Sequence, residues 1–254
     1  MIYLAIETSD PRGSLALFDR EGVRQEDTFS SDMAHAREFA DRIDNLLRQG
    51  GFAVGDLGGI SVSVGPGSYT GCRVGVTAAK TLAIALRIPV VAFSSLEVMA
   101  AFAMESPGSG REVEGGAVDS FIPVLDGRRG FFYGAHFRRG EGGRPQRTAE
   151  DQVAPLSELA GLLEGPAWIL GRGADSFLSA LEDDGGSVCA SEYGYNRGPV
   201  EWDQPRAATL AGLSLGPLGE ANFDQEAIHS LKPAYLRPSE PEIVLARKLA
   251  GEDQ

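Results

Sequence analysis

The sequence predicts a duplicated α/β protein, and three observations carry that prediction. An apolar strand, a turn holding a carboxylate and a second strand occur near the start, around Asp10, and again around Asp126. Between them a strand over residues 57–64 runs through Gly65-Pro66-Gly67 into a long helix. Further strand and helix patterns alternate beyond the second hairpin, with no low-complexity array.

Taken in order, Ile2, Leu4 and Ile6 alternate as a half-buried strand, Glu7-Thr8-Ser9-Asp10-Pro11-Arg12-Gly13 turns, and residues 14–18 resume as a strand. The hydroxyls of Thr8 and Ser9 can hold a phosphate, or they can satisfy their own turn. A third strand covers residues 23–29. Ser31 or Asp32 then caps a helix in which Ala36, Phe39, Ala40, Ile43, Leu46 and Leu47 form one apolar stripe, ended by Gly50-Gly51. His35, in its first turn, reads as a surface or capping residue.

After the strand at residues 57–64, Gly65-Pro66-Gly67 breaks the extended run and Ser68 or Thr70 caps the next helix. Gly67, Gly71, Gly75, Ala79 and Ala83 recur every four residues, which puts small side chains on one face. Glycine inside a helix costs roughly 1 kcal/mol against alanine, so the spacing signals close approach of another backbone. Two readings follow: a tight turn packed on its own sheet, or free N–H groups and a small-residue face offered to an anion or a partner chain. The pattern is not a P-loop, because Lys80 lies well inside the helix.

Residues 88–93 read as a short buried strand, and Ser94-Ser95 cap a helix over residues 96–104. The Gly/Ser/Pro/Glu-rich stretch 105–116 reads as a linker or exposed loop. Strands at 121–125 and 131–137 flank Asp126-Gly127-Arg128-Arg129-Gly130, whose arginines suit carboxylate or phosphate or simply stay solvated. Residues 139–152 look polar and loop-like, with room for one strand. A helix at 155–163, a strand at 167–170, a Gly171-Arg172-Gly173 turn, a helix at 174–181 and a strand at 187–190 come next. A small-residue helix at 206–215, an extended stretch at 232–238 and a helix or tail at 242–250 complete the chain. The division expected is a first lobe over 1–105, a second over 106–240 from which a helix near 206–216 returns to the first, and a tail over 241–254.

Composition narrows the function. The 254 residues suffice for one large domain or two lobes, 43% hydrophobic and 23% charged as in ordinary globular chains. Against 23 Lys plus Arg stand 36 Asp plus Glu, a formal net charge of −13, which argues against binding nucleic acid unaided and suits docking onto a more basic protein. Cys72 and Cys189 make no metal-type pair and read as free thiols of a reducing cytosol. No signal peptide is expected ahead of Glu7, and no run of 18 apolar residues marks a membrane span. His35, His136 and His229 are scattered, no Gly-x-Ser-x-Gly, His-x-x-x-His or Cys-x-x-Cys occurs, and Asp183-Asp184 reads as a solvated pair.

The segments from Ile2 to Ser9, from Ser63 to Gly75, Ala79-Lys80, from Leu125 to Gly130 and Tyr235-Leu236-Arg237 together resemble the TsaB family, subunits required to form threonylcarbamoyladenosine in tRNA. The likeness runs from the first strand to about Pro238 with spacing kept. It implies a two-lobed actin/Hsp70/sugar-kinase-like (ASKHA) fold with a duplicated core. The catalytic paralogue TsaD carries Asn-His-Met-Glu-Gly-His after its glycine helix; laid on this chain, the two metal-binding histidines fall on Ser95 and Met99, poor replacements for imidazole.

The resemblance therefore implies a non-catalytic subunit, without metal, that pairs with and activates TsaD in modifying the adenosine beside the anticodon of tRNAs reading codons that begin with A. It implies pairing, with TsaD or with itself, through Phe39, Ile43, Leu47, Gly71, Gly75, Ala79 and Ala83, so that Gly75→Leu should abolish pairing. TsaE joins the complex, ATP or ADP could lodge at the partner junction, and the isolated chain should not bind tRNA. Asp41 and Tyr69 depart from the proline and phenylalanine frequent in the family. The alternative is a kinase-like or ATPase enzyme of the same fold, with Thr8, Ser9, Gly65 and Gly67 holding phosphate; against it stands Glu7-Thr8-Ser9 in place of the usual Asp-x-Gly-Thr. A peptidase finds no nucleophile and base here.

Overall fold

The structure, a computed structural model, describes residues 1–30, 36–110, 112–113, 116–163, 165–183 and 194–237. The expected cap at Ser31 or Asp32, His35, Asp184, Cys189, the strand at 187–190 and the helix at 242–250 lie outside these.

The first half is built on β1 (Ile2–Glu7), β2 (Arg12–Asp19) and β3 (Gly22–Ser30), an antiparallel meander. Helix α1 (Ala36–Gln49) leads to β4 (Leu57–Ser63), and α2 (Tyr69–Leu86) leads to β5 (Val90–Phe93). Both β4 and β5 join in parallel, giving the order β3-β2-β1-β4-β5. Ile2, Leu4 and Ile6 of β1 face α1 and α2, packing with Phe39, Ile43, Leu47, Val76, Ala79 and Ala83. Tyr3 and Ala5 point the other way. With both faces covered β1 is wholly buried, and a side chain such as Leu4 contributes about 2 kcal/mol by leaving water. β5, expected to be buried, is the sheet's edge and leaves Ala92 exposed.

Helix α3 (Ser95–Glu105) is shared by the two halves. Val98 and Ala101 pack on the first sheet, while Leu96, Met99 and Ala103 pack on the second. The stretch read as a linker holds a small hairpin, β6 (Glu112–Val113) and β7 (Gly116–Ala117). The second half repeats the first: β8 (Ser120–Asp126), β9 (Phe131–Arg139) and β10 (Pro145–Pro155) form a meander, followed by α4 (Leu156–Leu159), β11 (Ala167–Leu170), α5 (Ala174–Asp183) and β12 (Tyr195–Arg197). The order β10-β9-β8-β11-β12 matches that of the first sheet. β10 is eleven residues long where the polar sequence suggests loop, because an edge strand with one wet side needs few apolar residues.

The chain then returns to the first half, and for longer than one helix. α6 (Ala207–Glu220) lays Ala207, Leu210 and Ala211 over Tyr3, Ala5, Ala16 and Phe18. α7 (Gln225–Ser230), not evident in the sequence, sets Ile228 against the α2 side of the sheet, and Ala234 N–H donates to the Val64 carbonyl (2.8 Å). A second lobe running to residue 240 is thus corrected: described residues 207–235 pack on the first sheet, drawn by apolar surface that α1, α2 and α3 leave uncovered. Among the described residues no helix is long and apolar enough to cross a membrane.

Candidate functional site

The glycine helix meets its own chain. Thr8 Oγ1 donates to the Gly71 carbonyl (2.8 Å), and Ser68 N–H donates to the Ser9 carbonyl (2.6 Å), so the β1–β2 tip lies on the first turns of α2. A Cβ on Gly71 would stand 1.9 Å from the Thr8 carbonyl oxygen, and one on Gly75 2.2 Å from Thr8 Oγ1. Ala79 and Ala83 continue the stripe beneath the sheet, fully buried. The expectation that Gly71, Gly75, Ala79 and Ala83 offer a face to another chain is therefore corrected. Their close neighbour is the hairpin and sheet of the same chain, and Gly75→Leu would disrupt the fold directly.

Thr8, Ser9, Gly65 and Gly67, the residues expected to hold phosphate, are likewise engaged within the chain. Ser9 N–H and Oγ both donate to Glu7 Oε1 (2.6 Å each), the Gly65 carbonyl accepts from Ser95 N–H (2.9 Å), and a Cβ on Gly67 would lie 2.2 Å from the Ser9 carbonyl. Across the lobes, Arg172 Nε and Nη2 donate to the Asp10 carboxylate (2.6 and 2.9 Å), a bidentate clasp that fastens the tip to the second half.

Beneath the tip lies a buried polar island. Glu7 is fully buried, its Oε2 has no hydrogen-bond partner among the described residues, and burial pushes its carboxyl above the ordinary 4.5. Ser63 Oγ and Ser95 Oγ share a 2.6 Å hydrogen bond. The Cys72 thiol is pushed up to about 12, by burial first and then by the neighbouring Glu7 charge, so it is an inert packing group. Met99 is buried in the second core. A hydroxyl bonded to serine and a thioether packed on aromatics do not fit a metal ion at the two positions aligned with the paralogue's histidines.

A groove stays open along the flank of α2 that borders α1. Val74, Ala78 and Leu82 face Phe39, Ile43 and Leu47 of α1 across an apolar groove of about 570 Å³, with Arg73, Thr77 and Thr81 along its rim. Phe39, Ile43 and Leu47 line the groove, though they are largely buried in the core beneath it. Val74, Ala78 and Leu82 form a second four-residue repeat, legible in the sequence, on the flank of α2 adjoining the glycine stripe. Arg172 as partner of Asp10 had no signal in the sequence at all.

Two sheets of identical order, each a meander followed by two parallel strands, define a two-lobed α/β protein of the actin/Hsp70/sugar-kinase type whose first hairpin packs on the glycine turn that follows β4. A family model for TsaD, described as tRNA N6-adenosine threonylcarbamoyltransferase, matches residues 29–171. The tRNA threonylcarbamoyladenosine biosynthesis protein TsaB of Bacillus subtilis (strain 168) is 34% identical over 247 residues, 95% of this chain and 96% of that one. TsaB of Escherichia coli (strain K12) is 28% identical over 143 residues, 56% of this chain and 58% of that one. The solved structure of YeaZ from Pseudomonas aeruginosa superposes with a TM-score of 0.70 at 21% identity, covering 92% of this chain and 99% of that one. The chain belongs to the TsaB family.

Proposed function

We propose that this chain is the non-catalytic subunit that pairs with and activates a TsaD-type transferase in threonylcarbamoyladenosine formation on tRNA. The observation that carries the reading is the apolar α1–α2 groove, open in a chain whose glycine turn is occupied by its own β1–β2 tip. The occupant follows from kinship. The TsaD family model spans both groove helices, so a TsaD-type partner brings a related helix pair and meets this one across a pseudo-two-fold axis. The same geometry lets two copies of this chain pair when no TsaD is present. TsaE joins at the junction, ATP or ADP is held there and not in this chain's own turn, and the assembly works in the cytoplasm.

The test is reconstitution with TsaD, TsaE and a carbamoyl-adenylate source. Thr77 and Thr81 are exposed on the rim, so the double variant Thr77→Glu/Thr81→Glu should keep its melting temperature. Two carboxylates forced against an apolar partner should weaken pairing on the order of 100-fold, about 2.7 kcal/mol, and transfer should fall with it. Normal pairing by this variant, or full transfer with the chain omitted, would refute the reading.

A further inference from the structure

We infer that the cleft between the start of β2, the end of β3 and the segment 204–206 ahead of α6 binds a small oxyanion, a phosphate ester or a carboxylate. The register of the first sheet builds one wall. Arg12 stands opposite Ser30 and Ser14 opposite Thr28, so these side chains share one face of the β2–β3 ribbon, the face on which Ala16 meets α6. Ala207 N–H donates to Ser14 Oγ (2.8 Å), which fixes the segment 204–206 as the facing wall. Cavities of about 410 and 150 Å³ lie between the walls, and Arg12, Thr28 and Gln204 line both, so the two form one continuous cleft. The larger alone falls in the ~300–1,000 Å³ range of small-molecule sites.

The three residues common to both cavities are uncommitted. Among the described residues, the side chains of Arg12, Thr28 and Gln204 have no hydrogen-bond or ion-pair partner; Arg12 uses only its backbone N–H, on Asp10 Oδ1 (3.0 Å). Arg206, in the smaller cavity, lies over the Phe102 ring at 4.2 Å, a contact that uses the guanidinium face and leaves its in-plane N–H donors for an acceptor. Arg172, in the larger cavity, gives Nε and Nη2 to Asp10 and so cancels that carboxylate. Glu26 is the one carboxylate that lines either cavity. Arg12 and Arg206 outweigh it, which leaves a local positive excess on a chain of net charge −13.

A single exposed arginine on a sheet is ordinarily just solvated. Here donors from β2 and from the 204–206 segment border one enclosed volume, and a guanidinium fork, a primary amide and a hydroxyl are a donor set for phosphate or carboxylate oxygens. The cleft opens on the sheet face opposite the one that carries α1 and α2, so pairing through the α1–α2 groove does not fill it.

The experiment titrates the full chain with inorganic phosphate and, separately, with malonate, at an ionic strength held constant with chloride, and reads melting temperature and heat of binding. The wild type should be stabilised as mass action requires. Arg12→Gln should fold normally, because its side chain holds nothing in place, and should bind about 10-fold more weakly, the worth of one charge-assisted hydrogen bond. Arg20→Gln removes the same charge at an exposed position just beyond the far end of β2, outside the cleft, and should bind as the wild type does. A response to phosphate alone assigns a phosphate ester, a response to malonate alone a carboxylate, and a response to both a general oxyanion site; each upholds the inference. No response beyond that to chloride, wild-type binding by Arg12→Gln, or equal weakening by Arg12→Gln and Arg20→Gln would overturn it. The measurement uses the chain alone, so its outcome is separate from that of the pairing test.

Discussion

The two hairpins that open the two halves share a topology and differ in what lies on them. The β1–β2 tip is locked: Thr8, Ser9 and Asp10 are each at most 4% exposed, bonded to Gly71, Ser68 and Arg172. The β8–β9 tip carries Arg128, Arg129 and Gly130 into solvent. Both are approached by glycines at the start of the following parallel unit's helix, but at different heights. In the first half the contacts fall on Thr8 and Ser9, beyond the end of β1; in the second, Gly171 and Gly173 meet Val124 and Leu125, still inside β8. A shift of a few residues in where a helix touches a strand decides whether a hairpin tip is packed into the fold or left exposed.

Gly71→Ala is the most direct way to break the locked tip. The new Cβ would lie 1.9 Å from a backbone oxygen that cannot rotate away, so a loss of about 3 kcal/mol is expected, at the upper end of overpacking costs. Denaturant titration reads it. The open tip should tolerate far more.

Asp10→Asn removes the charge from the clasp to Arg172 but keeps one acceptor oxygen. Because the Arg172 side chain is 45% exposed, water screens the pair and the loss should be roughly 1 kcal/mol. A loss that shrinks in 1 M salt would identify the ion pair as its source.

Glu7 makes the comparison sensitive to pH. Its carboxyl binds its proton more tightly folded than unfolded, so the stability it contributes is fully present below the ordinary value of 4.5 and is lost as pH rises from there through the raised folded value. Glu7→Gln keeps the acceptor for Ser9 and has no proton to lose. The variant should therefore show a flatter profile over that window and equal or exceed wild type at pH 7. Melting temperatures from pH 4 to pH 8 check this; parallel profiles would show that Glu7 does not titrate with folding.

Arg128→Gly sharpens the contrast from the other side. It relieves a left-handed arginine while loosening the unfolded chain, and the two effects should leave stability within about 1 kcal/mol of wild type. A larger loss would mean that the exposed tip contributes to the fold.

Much of this molecule is legible in its amino-acid sequence. β11 falls on residues 167–170 as its apolar run indicates, α2 begins after the Ser68 cap, and the repeated hairpins announce the duplication. Each of those signals is local, a period of two or four with a capping or turn residue beside it. The polar edge strand β10, the three-residue β12 and the six-residue α7 carry too little pattern to be seen, and their places are set by neighbours already in position.

By itself the sequence determined the strand and helix order, the duplicated design, the family likeness, and that one face of α2 must admit a backbone at close range. Only the tertiary structure decided which backbone that is. The spacing of Gly71 and Gly75 reports an absence of side chain, and an absence does not name the group that fills it; Thr8, 63 residues away in the chain, comes there because β1 lies beside β4 in the sheet. The same packing turned Gly71, Gly75, Ala79 and Ala83 inward and left Val74, Ala78 and Leu82 half-buried on the flank beside α1, since the smallest residues allow the closest approach to the sheet.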